Sequence, residues 1–208
     1  MRRGFVFSLF LLTPLVAGGC AKESDPPQLI GPGTTSGTRT LVDVADGLDV
    51  NSGQTGTFNW AGQSFVVPEN GSFGDLRFNF YNFQKAPVAF GNLYLLTQEY
   101  LGLPGTLSSL TSGFVARSES TSGGVYTFAS SVVITGGTKY WVYTDAQGSF
   151  AGSFDADIYT GGDMYVTGFP SSPFRKAQAS GRMVNGVFVP APPGVFVDAN
   201  FRVQARGR

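Results

Sequence analysis

The sequence predicts an all-β protein, with a single antiparallel β-sandwich over residues 39–208. Composition is the first reason: 29 Gly, 19 Phe and 8 Tyr stand beside only 13% charged residues, which suits strands and tight turns better than helices. Periodicity is the second, because from Arg39 onward apolar residues recur at alternate positions. The third is the want of a helical pattern. Leu101 to Leu110 comes nearest to one, and Pro104-Gly105 interrupts it. Short strands at spacings of about 8–12 residues, punctuated by glycine, are the signature of sandwiches and barrels.

The elements follow in chain order. Ala21 to Thr38 has almost nothing to bury, and its Pro-Pro and Gly-Pro-Gly-Thr-Thr-Ser-Gly content predicts a flexible linker reaching about 25 Å. Leu76, Phe78 and Phe80 alternate with Arg77 and Asn79, but Tyr81 and Phe83 then carry the apolar phase, so a β-bulge is expected near Phe80–Tyr81. Leu93 to Thr97, Val125 to Phe128, Val132 to Ile134 and Tyr140 to Thr144 read as further short strands. Within Tyr140-Trp141-Val142-Tyr143 one alternate set must face inward, and Trp141 is expected in the core. Asn185-Gly186 between Arg182-Met183-Val184 and Val187-Phe188-Val189 predicts a type I′ hairpin, since both central residues need positive φ. Thr135-Gly136-Gly137-Thr138-Lys139-Tyr140 is echoed by Thr160-Gly161-Gly162-Asp163-Met164-Tyr165, which suggests a recurring turn into a strand. A last strand runs almost to the terminus, with Val195, Val197, Ala199, Phe201, Val203 and Ala205 inward and Phe196, Asp198, Asn200, Arg202 and Gln204 outward.

The N-terminus carries an address. Arg2 and Arg3 precede an apolar run from Phe5 to Val16, and small residues Ala17-Gly18-Gly19 lead to Cys20, the one cysteine of the chain. The segment resembles a bacterial lipoprotein signal with its lipobox ending at Cys20. That resemblance implies a signal peptide over 1–19, an acylated Cys20 and linker over 20–38, and the folded domain over 39–208. It also implies an extracytoplasmic protein whose membrane partner is reached through acyl chains on Cys20. In a Gram-negative host, Ala21 in place of aspartate points to the outer membrane. The alternative is an ordinary secretory signal cut after Gly19. The apolar run is shorter than the ~20 residues of a spanning helix.

Composition bounds the chemistry. There is no histidine, which excludes Ser-His-Asp and Cys-His catalysis and histidine-based zinc sites. One cysteine cannot form an intrachain disulfide or a thiolate metal cluster. The 14 basic and 14 acidic residues balance, so no basic excess marks a nucleic-acid surface. No cofactor motif occurs, and no G-x-S-x-G, S-x-x-K or P-loop pattern is present.

The spaced set Gln63-Ser64-Phe65-Val66-Val67, Leu93-Tyr94-Leu95, Gly137-Thr138-Lys139-Tyr140-Trp141-Val142 and Asp198-Ala199-Asn200-Phe201-Arg202 resembles the jelly-roll domains of secreted bacterial surface proteins, carbohydrate-binding modules and choice-of-anchor domains among them. The resemblance implies a jelly roll at the cell surface and carries no site residues. From the residues themselves, sugar binding would need exposed aromatic faces. Among Trp60, Tyr94, Tyr100, Trp141, Tyr143, Tyr159 and Tyr165, the loop-borne Tyr100 and Tyr159 are the candidates for ligand binding. Asp145, Asp155, Asp157 and Asp163 are the oxygen donors considered for calcium, without a calcium-loop spacing. Asp155 and Asp157, about 6.5–7 Å apart on an extended segment, are the pair considered for glycoside hydrolysis. The expectation is a non-catalytic, lipid-anchored structural or adhesive module of the cell envelope, meeting a surface polysaccharide or an envelope protein. A carbohydrate-binding protein is the alternative and a hydrolase a third reading.

Overall fold

The strands pair in a nested order. In the computed structural model, which describes residues 37–44, 59–153 and 157–208, they are β1 (Thr38–Asp43), β2 (Trp60–Val66), β3 (Ser72–Tyr81), β4 (Pro87–Val88), β5 (Leu93–Leu96), β6 (Phe114–Arg117), β7 (Ser120–Ser122), β8 (Val125–Thr127), β9 (Ile134–Thr135), β10 (Lys139–Thr144), β11 (Met164–Thr167), β12 (Arg175–Lys176), β13 (Gly181–Val184), β14 (Val187–Pro190) and β15 (Phe201–Gly207). One sheet has the order β1-β15-β3-β8-β7, with β4 and β9 also pairing with β3; the other has the order β12-β11-β2-β10-β5-β6. First therefore pairs with last, β1 with β15; within that, β2 pairs with β10, β3 with β8 and β5 with β6, all antiparallel. Rolling up such a nested ribbon produces the two facing sheets of a β-sandwich. The expected β-sandwich is present. The expected signal peptide, Cys20 and residues 21–36 of the expected linker lie outside the described residues.

Aromatic rings fill the space between the sheets. Phe78 of β3 stacks on Phe201 of β15 with centroids 5.6 Å apart, meets Phe80 edge-on at 4.9 Å, and reaches Phe65 of β2 at 6.1 Å. Phe65 in turn stacks on Tyr140 of β10 at 6.0 Å. All are buried, and fully burying each such side chain is worth about 1.5–3 kcal/mol.

Three sequence expectations meet this frame differently. The Asn185-Gly186 hairpin forms as expected: Val184 pairs with Val187, and both turn residues have positive φ, 50° and 79°. The two Thr-Gly-Gly segments are equivalent turns on either side of β2. Val67 N–H bonds to Thr138 C=O on one flank, and Ser64 N–H to Asp163 C=O on the other. A side chain at Gly136 or Gly162 would run into the β2 side of the turn, at Glu69 C=O and Ser64 C=O respectively. The bulge, however, is not at Phe80–Tyr81. Register with β15 is regular there and shifts between Arg77 and Gly74, where Asp75 takes φ 50°. Tyr81 remains on the outer face and is buried under the Arg202 guanidinium, 5.7 Å from its ring, which is why an apolar residue occupies a solvent-side position.

The last strand also departs from simple alternation, because it changes sheets. Val195 and Val197 pair with residues 177–179 and Val197 also with Met164 beside the second sheet, whereas Phe201 onward lies in the first. Residues 198–200 make the crossing, pairing with 151–153 on the way. Asp198 and Asn200, expected outward, are therefore fully buried.

Replacing Phe78 by Ala should remove about 3–5 kcal/mol, lowering Tm by roughly 10 °C or more in a thermal melt followed by circular dichroism. Deleting β15, which lies between β1 and β3, should abolish the β-sheet spectrum altogether.

Candidate functional site

A second aromatic layer lies on the outer face of the β12-to-β6 sheet. Along β10, Tyr140 and Val142 point into the sandwich core, while Trp141 and Tyr143 point out. Tyr94, Leu96, Leu107, Tyr143, Tyr165 and Phe174 are buried there, with Trp60, Tyr100, Phe114 and Trp141 packed against them. Gly62 of β2 leaves the room that the Tyr143 ring fills. Trp141, expected in the inter-sheet core, instead belongs to this layer and is half-buried, its Nε1 donating to the Tyr165 hydroxyl at 3.1 Å. Polar indole and phenol tips favour such a position, apolar below and wet above.

The margin of this layer is an open groove of about 450 Å³. Glu99 and Leu101 supply one wall from the loop after β5; Phe174, Arg175, Lys176, Gln178 and Phe196 supply the other from the insertion between β10 and β15. Lys176 Nζ stands 2.9 Å from Asp163 Oδ2 and 3.9 Å from Glu99 Oε1, and 5.2 Å from the Phe196 ring centroid. The Tyr165 hydroxyl donates to Glu99 Oε1 at 2.7 Å. Arg175 is exposed and has no ion pair among the described residues. The groove thus joins ring faces to a fixed carboxylate, a fixed ammonium and an uncommitted guanidinium. Such a set can grip an anionic or hydroxyl-rich ligand by charge-assisted hydrogen bonds and ring contact.

Tyr100 and Tyr159 occupy separate places. Tyr100 stands next to groove residues Glu99 and Leu101, but its ring packs on Tyr143 and Phe174 and its hydroxyl donates to Leu103 C=O at 2.8 Å. Tyr159 lies against the core, edge-on to Phe201 at 5.5 Å. Its hydroxyl accepts from Val66 N–H at 3.0 Å and donates to Val66 C=O at 3.2 Å. The structure therefore engages both rings in internal packing. The aspartates are likewise dispersed: Asp145 accepts from Asn92 N–H and Nδ2 at 2.7 and 2.8 Å, Asp163 holds Lys176, and Asp155 lies outside the described residues. Among the described residues no three carboxylate, cysteine or histidine side chains gather around one point.

The carboxylate that does stand beside Asp157 is Asp198. Asp157 is exposed, whereas Asp198 is sealed in the sheet crossing. Its Oδ1 accepts from Gln63 Nε2 at 3.0 Å, and its Oδ2 from Tyr159 N–H at 2.9 Å and Ile158 N–H at 3.1 Å. Gln63 Oε1 accepts from Ala199 N–H at 2.9 Å, completing a closed network. Burial raises the Asp198 carboxyl to about 7; the Gln63 amide and Tyr159 N–H pull it back, and neighbouring Asp157 raises it further. With its oxygens engaged and no exposed surface, Asp198 fastens the 157–159 segment to the crossing. Sequence reasoning missed it and Gln63, because each looked like one position in a simple strand; a Gln two residues before the apolar run Phe65-Val66-Val67 was the available signal.

Comparison of the chain with protein-family models, curated proteins and solved structures finds no match. The site therefore rests on its own geometry.

Between the ordinary carboxyl range and about 7, the folded chain holds a proton that the unfolded chain has released, so stability falls as pH rises across that window. Asp157→Asn removes the neighbouring charge and should flatten this dependence, measured as the difference in Tm between pH 5 and pH 8. Tyr159→Phe strands both Val66 backbone groups and should cost about 1–3 kcal/mol in urea unfolding at fixed pH.

Proposed function

We propose that this chain is a non-catalytic binding module of the bacterial cell envelope, a structural or adhesive lipoprotein held to membrane by acyl chains on Cys20, with its ligand taken in the Glu99–Arg175–Phe196 groove. The observation that carries the reading is how the groove is held. Glu99 is fixed by Tyr165 and Lys176, and Lys176 by Asp163, in an arrangement suited to recognition by preset geometry. On this reading the linker joins the folded domain to the anchor.

A second reading, recognition of a surface polysaccharide, is favoured by one feature. Phe196 presents a ring beside the amide of Gln178 and the carboxylate of Glu99, the combination that a sugar ring and its hydroxyls require. Tyr100 would act there by holding the Glu99–Leu101 wall. Tyr159, tied to Val66, would have no part in it.

Metabolic labelling with a clickable fatty acid should mark the wild-type chain and not Cys20→Ser, and the variant should leave the membrane fraction. A polysaccharide pull-down with the full chain should show binding that Phe196→Ala and Arg175→Ala each weaken by about tenfold. Binding indifferent to both substitutions would remove the groove from the reading, and silence across acidic and neutral polysaccharides would remove sugar.

A further inference from the structure

The β13–β14 ribbon exposes apolar side chains on both faces, and no other strand among the described residues pairs with it. It forms a two-stranded sheet of its own. Val184, Val187 and Val189 share one face, and Phe188 and Pro190 the other. Val187 is 65% exposed, Phe188 56%, Val189 45% and Val184 39%. A two-stranded hairpin with so much wet apolar surface is marginal in water by itself. We infer that this ribbon is a second membrane contact, which inserts into an anionic lipid surface independently of Cys20.

Two observations select that occupant. A flat protein partner would bury one face of the ribbon and leave the other wet, whereas lipid surrounds a wedge on every side. Charge agrees. From Met164 to Val197 the chain has no aspartate or glutamate, in a protein with 14 acidic residues, and it carries Arg175, Lys176 and Arg182. The segment is thus net positive, which an anionic headgroup layer attracts. Depth follows from the backbone. The outer edges of β13 and β14 have no strand partner among the described residues, so the ribbon must stop at the headgroup and upper acyl boundary, about 5–10 Å deep, where water still reaches those groups. Asn185-Gly186 at the tip fits that shallow placement.

The full chain carrying Phe188→Trp, mixed with vesicles of phosphatidylcholine and phosphatidylglycerol, reads the contact directly. Against the background of Trp60 and Trp141, the new indole should emit at shorter wavelength and be quenched about twofold by brominated acyl chains. Phosphatidylcholine alone should give less quenching, and adding Val187→Asp should abolish it while the β-sheet circular dichroism is unchanged. An indole that stays open to acrylamide and blind to bromolipid overturns the proposal, and so does quenching that survives Val187→Asp. A concentration-dependent blue shift without lipid also overturns it, because it assigns the ribbon to a second copy. The Cys20 anchor is separable: a chain that floats with vesicles while its indole remains unquenched defeats the ribbon and not the anchor, and a quenched indole on a chain unlabelled at Cys20 supports the ribbon alone.

Discussion

The whole molecule depends on rings meeting between two sheets. Phe65 and Tyr140 from one side and Phe78, Phe80 and Phe201 from the other form the contact that keeps the sheets together. A chain whose one cysteine is at position 20 has no disulfide to share that task within the domain. Burial of apolar area must therefore offset chain entropy, and the strands that supply the rings must be those with the most neighbours. They are: β15 and β3 lie inside the first sheet, β2 and β10 inside the second. Edge strands contribute less to this contact, which leaves them available for other work.

Loops are secured by a different device. Four tyrosines reach from the packed layers to loop or strand-end backbone. Tyr126 accepts from Phe90 N–H at 2.7 Å and donates to its C=O at 2.9 Å, the arrangement Tyr159 repeats on Val66. Tyr140 and Tyr143 accept from Thr135 N–H and Tyr100 N–H, each at 3.0 Å. Burial raises the Tyr126 and Tyr143 phenols above their ordinary range, which favours the protonated hydroxyls that make these bonds. A phenylalanine in these places would fill the same volume and leave the backbone groups unpaired. Aromatic excess in this sequence is thus partly a means of fixing loops, and partly a second core outside the sandwich.

That distinction explains what could be read from the residues and what could not. Strand positions, the Asn185-Gly186 hairpin and the sandwich follow from period two and turn chemistry, which are local. Bulge position, sheet crossing and ring direction are set by partners distant in sequence. Tyr81 looked like a phase slip because nothing near it in the chain announces that Arg202 will cover it. Asp198 looked solvent-facing because alternation assumes one sheet, and its strand belongs to two. Trp141 was placed by a rule that one alternate set is buried; the rule fails where a loop and an insertion bury the other set as well. The groove was not legible in the same way: Tyr100 stands beside it without lining it, and Phe196 and Lys176 acquire meaning only once the insertion folds back beside Glu99.

The strands β11 to β14 lie outside the four nested pairs. The added segment widens one sheet, brings Phe174 into the outer aromatic layer, sets Lys176 against Glu99 and includes a ribbon whose apolar residues are exposed. A frame that already buries its own core gains little stability from a further strand pair with exposed valines and a phenylalanine. Apolar surface of that kind is disfavoured in water and is stable where something apolar meets it. Groove and ribbon share one insertion, so whatever fixes the ribbon in space also fixes the direction in which the groove opens. The buried Asp198 network closes the same insertion onto the crossing strand. The insertion is also tied into the fold itself, since Met164, Val197 and Ala199 belong to the core between the sheets and β11 pairs with β2.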